Sequence, residues 1–195
     1  MTIDQETARD VRAVDPPGVA GLVAVDESLL WPELDQWGDY VAALLLDRLA
    51  PGQRVAILAG PGLEYAASFL GALRAGMIAV PLCTPGPRGH AGRLRAALAD
   101  CRPALVLTTR ADLVPVCQLV GPYQAVVVIE DIPAGTIPRR PVPDPGSVAY
   151  LRYTYSSTHA PIGVPVTHAD VVANSAVRTA LVGELARTAT GSRSW

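Results

Sequence analysis

Four short apolar runs alternate with helix-like segments, and this alternation limits the possible folds more than any other feature of the chain. The runs RVAILA, MIAVPL, ALVLTT and AVVVIE occupy residues 54–59, 77–82, 104–109 and 125–130. Strands that follow one another through a helix pair in parallel, because a parallel connection has to cross the sheet. Continuous apolar runs also fit strands that are covered on both faces. We therefore predict an α/β fold with an open, mostly parallel, doubly wound sheet.

Helices are predicted before and between these strands. The first, WPELDQWGDYVAALLLDRL, has apolar residues at helical spacing, with Pro32 in its first turn and Pro51 and Gly52 at its end. Three more are predicted between the strands, the last of them interrupted by Pro115. They span residues 62–76, 91–101 and 111–120.

The remaining segments are predicted from shorter patterns. Residues 21–26 are expected to form a strand, and residues 131–147 a proline-rich surface loop that is either a connector or a polyproline partner site. The strand VAYLRYT, a polar loop, the strand VPVTH and a helix at 169–187 follow. Because composition changes little along the chain, we expect a flexible leader at 1–18 and one partial domain at 19–195.

Composition and charge exclude several classes of function. The 195 residues carry a net charge of −2 without a basic stripe, which argues against nucleic acid as a partner. Neither a signal peptide nor an apolar run of the ~18 residues that a membrane span needs is visible, so we expect a cytoplasmic protein. All 16 basic residues are arginine, and without lysine the chain cannot supply a lysine nucleophile or Schiff base.

The cysteines and histidines show no catalytic or metal-binding spacing. The three cysteines are expected to be buried, reduced thiols, and the three histidines are scattered. These residues are Cys83, Cys101, Cys117, His90, His159 and His168.

A hydroxyl-rich loop, YTYSSTHAPIGV, follows the strand VAYLRYT and is the candidate site. Loops beyond the carboxyl ends of strands in open α/β sheets bind ligands, and backbone N–H groups and hydroxyls can bind phosphate. On the pattern alone, a phosphate site and a plain turn between two strands remain open. The loop lacks the glycines and lysine of a P-loop, and the chain has no GxGxxG motif. The candidate residues are Thr154, Ser156, Ser157, Thr158 and Gly163.

Several stretches together resemble the N-terminal part of acyl-adenylate-forming enzymes, most closely the fatty acyl-AMP ligases. The loop and the following THADVVAN fit the frame YTSGST-x-x-P-x-G-V, then [ST]-H. PGQRVAILAGPGLEYAASFLGALRAGMIAVPL, GRLRAALADCRPALVLTT and WPELDQWGDYVAALL fit three further family segments in the same order. The similarity runs from about residue 23 to the last residue.

The resemblance implies an enzyme that uses ATP to convert a fatty acid into an acyl-adenylate and passes the acyl group to an acyl carrier protein or polyketide synthase. It implies that Thr154, Ser157, Thr158 and Gly163, with Ser156 between them, surround the β- and γ-phosphates of ATP, with Mg²⁺ alongside. No catalytic residue is assigned, because the family's catalytic lysine and adenine-binding segment lie downstream. We therefore expect no catalysis by this chain alone.

Three positions depart from the family pattern, and a fourth, Ile162, favours the fatty acyl-AMP ligases over the acyl-CoA synthetases. Tyr155 replaces a serine, Ser156 a glycine, and His159 a glycine or arginine. Ile162 stands where acyl-CoA synthetases have lysine and fatty acyl-AMP ligases a small apolar residue. The alternatives are a short non-catalytic homologue that binds a nucleotide or a partner, and a piece of an acyl-CoA synthetase or amino-acid adenylation domain. If half of a domain is absent, uncovered apolar surface should make the chain self-associate.

Overall fold

The computed structural model describes residues 27–86, 91–135, 141–154 and 161–174. The predicted leader at 1–18 and strand at 21–26 lie outside these residues. Residues 168–174 form a helix, α5. The preceding elements are α1 (Glu27–Arg48), β1 (Arg54–Leu58), α2 (Leu63–Arg74), β2 (Ile78–Leu82), α3 (Ala91–Cys101), β3 (Leu105–Thr108), α4 (Leu113–Val120), β4 (Val126–Val128), a 3-10 turn (Ile129–Asp131), β5 (Val148–Thr154) and β6 (Ile162–Thr167).

One six-stranded sheet, in the order β4-β3-β1-β2-β5-β6, organises these elements. The pairs from β4 to β5 are parallel, and β6 pairs antiparallel with β5. Helices cover both faces, which confirms the predicted α/β class and doubly wound, mostly parallel sheet. Since all the parallel strands point the same way, their carboxyl ends form one edge of the sheet.

The central strand β1 shows how the two faces acquire separate cores. Val55 and Ile57 pack in a cluster with residues of α1 and α2, whereas Ala56 and Leu58 pack in a second cluster with residues of α3 and α4. All four side chains are fully buried. This arrangement follows from the alternation of side chains along a strand. It also explains why the strand is apolar throughout.

Two prolines occupy helix positions that differ from the prediction, which placed Pro32 in a first turn and expected Pro115 to interrupt its helix. The first helix begins at Glu27, so Pro32 lies inside α1 rather than in its first turn. Helix α4 runs through Pro115, its third residue. The first four N–H groups of a helix have no partner within the helix, so a proline at this position removes no hydrogen bond.

The carboxyl-terminal elements follow the prediction where the structure describes them. β5 spans the predicted strand, and β6 begins at Ile162, two residues before the predicted start. Of the last predicted helix, 169–187, residues 169–174 are described, and they are helical. Among the described residues, no helix is long and apolar enough to cross a membrane.

Candidate functional site

The candidate loop connects β5 to β6 at the carboxyl edge of the sheet. The two strands form an antiparallel hairpin, with Thr154 opposite Ile162 and Tyr153 opposite Gly163 at the loop end. Ser156, Ser157 and Thr158 lie outside the described residues. Of the predicted site residues, the structure therefore places Thr154 and Gly163, one on each side of the loop. This is the edge at which open α/β sheets bind ligands.

Thr154 and Gly163 occupy different environments. Thr154 is exposed at the last position of β5. Gly163 faces the ring of Tyr153: a Cβ added to this glycine would lie 2.9 Å from the Tyr153 Cζ and Oη atoms. This distance is shorter than a van der Waals contact of a Cβ atom. The absence of a side chain at Gly163 therefore allows Tyr153 to lie across β6.

Tyr153 connects the hairpin to helix α3. Its ring is 7% exposed and packs in the cluster that contains residues of α3 and α4. Its hydroxyl donates a hydrogen bond to the Asp100 carboxylate. Burial, and then this bond to Asp100, raise the pKa of Tyr153 well above that of a free phenol. The hydroxyl is therefore a protonated donor, and it fixes the strand that leads into the loop.

A second aromatic contact fixes the hairpin on the opposite face of the sheet. Tyr150 meets Phe69 of α2 edge to face, with ring centroids 5.5 Å apart. In the ladder, β2 and β5 pair at Ala79 and Tyr150. Tyrosines on both faces thus attach the hairpin to helices on both sides. Offset and edge-to-face aromatic pairs each add about 0.5–1.5 kcal/mol.

A reciprocal cap begins α5 directly after β6. The Asp170 carboxylate accepts hydrogen bonds from the Thr167 N–H at 2.9 Å and the Thr167 hydroxyl at 2.7 Å, and the Asp170 N–H donates to that hydroxyl at 3.1 Å. This is a capping box with aspartate at its third position. These bonds lower the pKa of Asp170. The motif residues Thr167 and His168 thus start a helix, and the His168 N–H donates to the Ser147 carbonyl at 3.1 Å.

Charged groups also gather beyond β3 and β4 at the same edge. The Arg110 N–H donates to both Glu130 oxygens, at 2.9 and 3.1 Å, and the Arg110 guanidinium pairs with Asp131. Both partners of the ion pair are more than half exposed. An exposed ion pair contributes little to stability. This group holds the turn after β4 against the end of β3.

The cysteines match the sequence-based expectation only in part. Cys101 is buried, Cys83 is half-buried, and Cys117 is exposed on α4, so the prediction of a buried thiol is wrong for Cys117. Helix α4 turns Val116 and Leu119 inward instead. Burial raises the pKa of Cys101 to about 11, so this thiol is protonated near neutral pH. Within the described ranges, His, Cys, Asp and Glu side chains form no cluster of three that could hold a metal.

Tyr153 is the site residue that sequence reasoning missed. It belongs to the loop motif, but no role was predicted for it. The available signal was its position in β5, where Leu151 and Tyr153 alternate onto the same face of the sheet. Its partner Asp100 is 53 residues away in the chain, and sequence patterns do not reveal such a pair.

Comparison with known protein sequences identifies the family that the sequence motifs resemble. A family model described as AMP-binding enzyme matches residues 9–190. Long-chain-fatty-acid–AMP ligase FadD32 of Mycolicibacterium smegmatis is 39% identical over 169 residues, covering 82% of this chain and 27% of that protein. The FadD26 ligase of Mycobacterium marinum is 40% identical over 168 residues, covering 83% and 28%. The chain thus spans little more than a quarter of these relatives.

Solved structures of fatty acyl-adenylate ligases have a similar fold. A fatty acyl-adenylate ligase from Legionella pneumophila, in complex with acyl adenylate and pyrophosphate, superposes with a TM-score of 0.64 at 29% identity, covering 73% of this chain and 26% of that one. McyG, at 20% identity and a TM-score of 0.69, shares the fold over 78% of this chain. The fold, the hairpin at the carboxyl edge and these matches together show that the chain belongs to the AMP-binding enzyme family, with the fatty acyl-AMP ligases among its relatives.

Proposed function

We propose that the chain supplies the loop that holds the β- and γ-phosphates of ATP in a fatty acyl-AMP ligase. The observation that carries the proposal is the hairpin itself. Its loop leaves β5 at the carboxyl edge, directly after the exposed Thr154, and returns at Gly163. The related Legionella enzyme was solved with acyl adenylate and pyrophosphate, the products of the proposed reaction.

The residues of the loop suit a triphosphate. Thr154, Ser156, Ser157 and Thr158 offer four hydroxyls within five positions. Hydroxyls and backbone N–H groups aimed at the departing pyrophosphate would spread its charge and hold it in line with the attacking carboxylate. Mg²⁺, bound with the nucleotide, would neutralise phosphate charge. The tyrosine contacts of β5 would hold these donors in place before the nucleotide arrives.

The acyl substrate and the acceptor belong to the same proposal. We assign a fatty acid and an acyl carrier protein or polyketide synthase to the complete enzyme, on the strength of the ligase relatives. This chain contributes no catalytic residue, and it has no lysine that could act as one. Its role would be to bind and orient the nucleotide within the partial domain at 19–195.

Two substitutions favour a second candidate, a non-catalytic homologue. Ser156 stands where the family pattern has glycine, and Tyr155 stands where it has serine. A glycine lets the backbone approach a phosphate more closely than any residue with a Cβ. If Ser156 prevents this approach, the loop occupies the same position in the fold but no longer binds ATP.

Calorimetric titration of the purified chain with Mg·ATP tests both candidates. We expect the wild type to bind and Thr158→Ala to weaken binding about tenfold, the effect of one hydrogen bond to a charged group. Ser147→Ala is the matched control, because this hydroxyl lies at the amino end of β5, where it donates to the Asp144 carbonyl at 2.6 Å. It should leave binding unchanged.

A double variant, Tyr155→Ser with Ser156→Gly, separates the candidates. If only this variant binds Mg·ATP, the natural substitutions have disabled the site and the non-catalytic role is correct. If neither chain binds although both are folded by circular dichroism, the loop does not hold the nucleotide by itself and the proposal fails for this chain.

A further inference from the structure

A concave site lies at the opposite edge of the sheet from the hairpin loop. It is a cavity of about 360 Å³ at the amino ends of β3 and β4, between the last turns of α3 and α4. A volume of this size is within the range of small-molecule sites, about 300–1,000 Å³. Its lining includes Arg95, Leu98, Arg102, Pro103, Leu119 and Gln124.

The cavity has two cationic groups and no acidic side chain in its lining. Arg95, Leu98, Ala99 and Arg102 all line it. Spacings of three and four residues place Arg95, Leu98 and Ala99 on one side of α3, and Arg102 is the first residue after the helix. Within the described part of the chain, neither arginine forms an ion pair. Two arginines, both exposed at the surface, therefore line this cavity, and no acidic residue lines it with them.

Arg102 has an unusual backbone for an arginine. Its φ is 43°, in the left-handed region, and among the described residues it is the one non-glycine with positive φ. Its N–H donates to the Leu98 carbonyl at 2.8 Å and so closes α3. Glycine is the usual residue in such a cap, and another residue costs about 1–2 kcal/mol. An arginine therefore occupies a position where a glycine would be more stable, and this arginine is one of the residues that line the cavity.

Apart from Gln124, the rest of the lining is apolar. Pro103 and Leu119 are buried, and Leu98 is half-buried. The Gln124 Nε2 donates to the Pro103 carbonyl at 3.2 Å, which joins the segment before β4 to the segment before β3. The cavity thus combines an apolar floor with two cationic groups, features that suit a ligand with an apolar body and an anionic end.

We infer that this cavity binds a small amphiphilic anion, in which a carboxylate or phosphate ester is carried on a short apolar body. The two guanidinium groups bind the anionic group, and Leu98, Leu119 and Pro103 contact the apolar body. The site is separate from the hairpin loop, so it goes beyond the proposed function. Its test does not depend on nucleotide binding.

Octanoate, octyl phosphate, octanol and inorganic phosphate are the probes, each titrated into the full chain by calorimetry. We expect octanoate or octyl phosphate to bind and octanol and inorganic phosphate to bind at least about tenfold more weakly, because each lacks one half of the recognition. The tighter binder of the two, octanoate or octyl phosphate, shows whether the site prefers a carboxylate or a phosphate ester. Equal binding of inorganic phosphate would contradict an amphiphilic ligand, and equal binding of octanol would contradict a role for the arginines.

Three variants test the arginines. Arg102→Gly removes the charge and places the preferred residue in the left-handed cap, so binding should fall about tenfold without any loss of thermal stability. Arg95→Gln should weaken binding to a similar degree. Arg93→Gln is the matched control, since it removes the same charge from α3 at a residue outside the lining. If Arg93→Gln weakens octanoate binding as much as the other two, or if no octyl anion binds the wild type, the inference is wrong.

Discussion

At the scale of single residues, Tyr65 is a titratable side chain that is buried in the core. Its side chain is 5% exposed and stacks on Phe69 in the cluster beneath α1 and α2. Burial, and then the neighbouring Tyr150, raise the pKa of Tyr65 from 10.0 to about 12. Because the chain has no lysine, tyrosines and cysteines are the only side chains that titrate in this range.

We predict that the free energy of unfolding falls as the pH rises from about 10 to about 12. A raised pKa means that the folded state keeps a proton that the unfolded state has already lost, so the stabilisation is complete below pH 10 and is lost toward pH 12. In Tyr65→Phe this loss should be smaller by about 2 kcal/mol. Urea unfolding at several pH values measures it. Tyr123→Phe, at a fully exposed side chain, should behave like the wild type, and equal losses in all three proteins would contradict the prediction.

Gly163 gives a second prediction at this scale. In Gly163→Ala the new methyl group would lie 2.9 Å from the Tyr153 ring, so the ring or strand β6 has to move. We expect a loss of about 1–3 kcal/mol in the free energy of unfolding, typical of an overpacked site. Nuclear magnetic resonance should also show displaced signals for Tyr153 and Asp100. An alanine variant with unchanged stability and unchanged signals would mean that the ring does not lie against this glycine.

At the scale of elements, α1 and α2 are held together by close backbone approach and by one arginine. A Cβ added at Gly71 would lie 2.6 Å from the Val41 Cβ and 2.8 Å from the Gly38 carbonyl. Arg74, at the end of α2, donates to the Asp35 carbonyl at 2.6 Å and to the Asp39 carboxylate at 2.9 Å. The helices can pack this closely only where side chains are absent.

We therefore predict that Gly71→Ala destabilises the protein by about 2 kcal/mol, because the methyl group forces the two helices apart. Gly92→Ala is the control, since a Cβ there meets nothing within 4 Å in helix α3. It should leave stability unchanged or raise it by up to about 1 kcal/mol, the difference between alanine and glycine in a helix. Urea unfolding followed by circular dichroism compares them. Equal effects of the two variants would contradict close packing at Gly71.

At the scale of the whole molecule, strand β6 is the exposed end of the sheet. It pairs with β5 on one side, and among the described residues no strand pairs with its other side. Three apolar side chains at this end are exposed. They are Ile162 at 62%, Val164 at 36% and Val172 at 70%. An open edge with apolar side chains is a site for pairing with another chain.

We predict that the purified chain self-associates through this end, and that Val164→Glu reduces the association at least about fivefold because it places a charge on the strand that would pair. Light scattering over a concentration series measures it. The control, Val114→Glu, introduces the same charge at a 66% exposed position on α4, beyond the far side of the sheet. A wild type that is monomeric at every concentration, or two variants with the same effect, would contradict an interface at β6.

The sequence pattern predicted most of the fold and part of the candidate site. The strands and the helices between them were predicted within a few residues because each buries a regular face, and that period is visible in the sequence. Pro115 was judged by its residue type, although its effect depends on its position in the helix. The loop motif identified Thr154 and Gly163 without showing that Gly163 faces Tyr153.

The sequence by itself determined the α/β class, the mostly parallel pairing of the strands and the family to which the loop belongs, because these follow from local period and from motifs a few residues long. Only the tertiary structure decided which distant residues come together: Tyr153 meets Asp100, Gly71 packs on Val41, and Arg95 and Arg102 line one cavity with Leu119. These contacts depend on how helices lie across the sheet. That geometry is set by packing among residues far apart in the chain, and no local pattern records it.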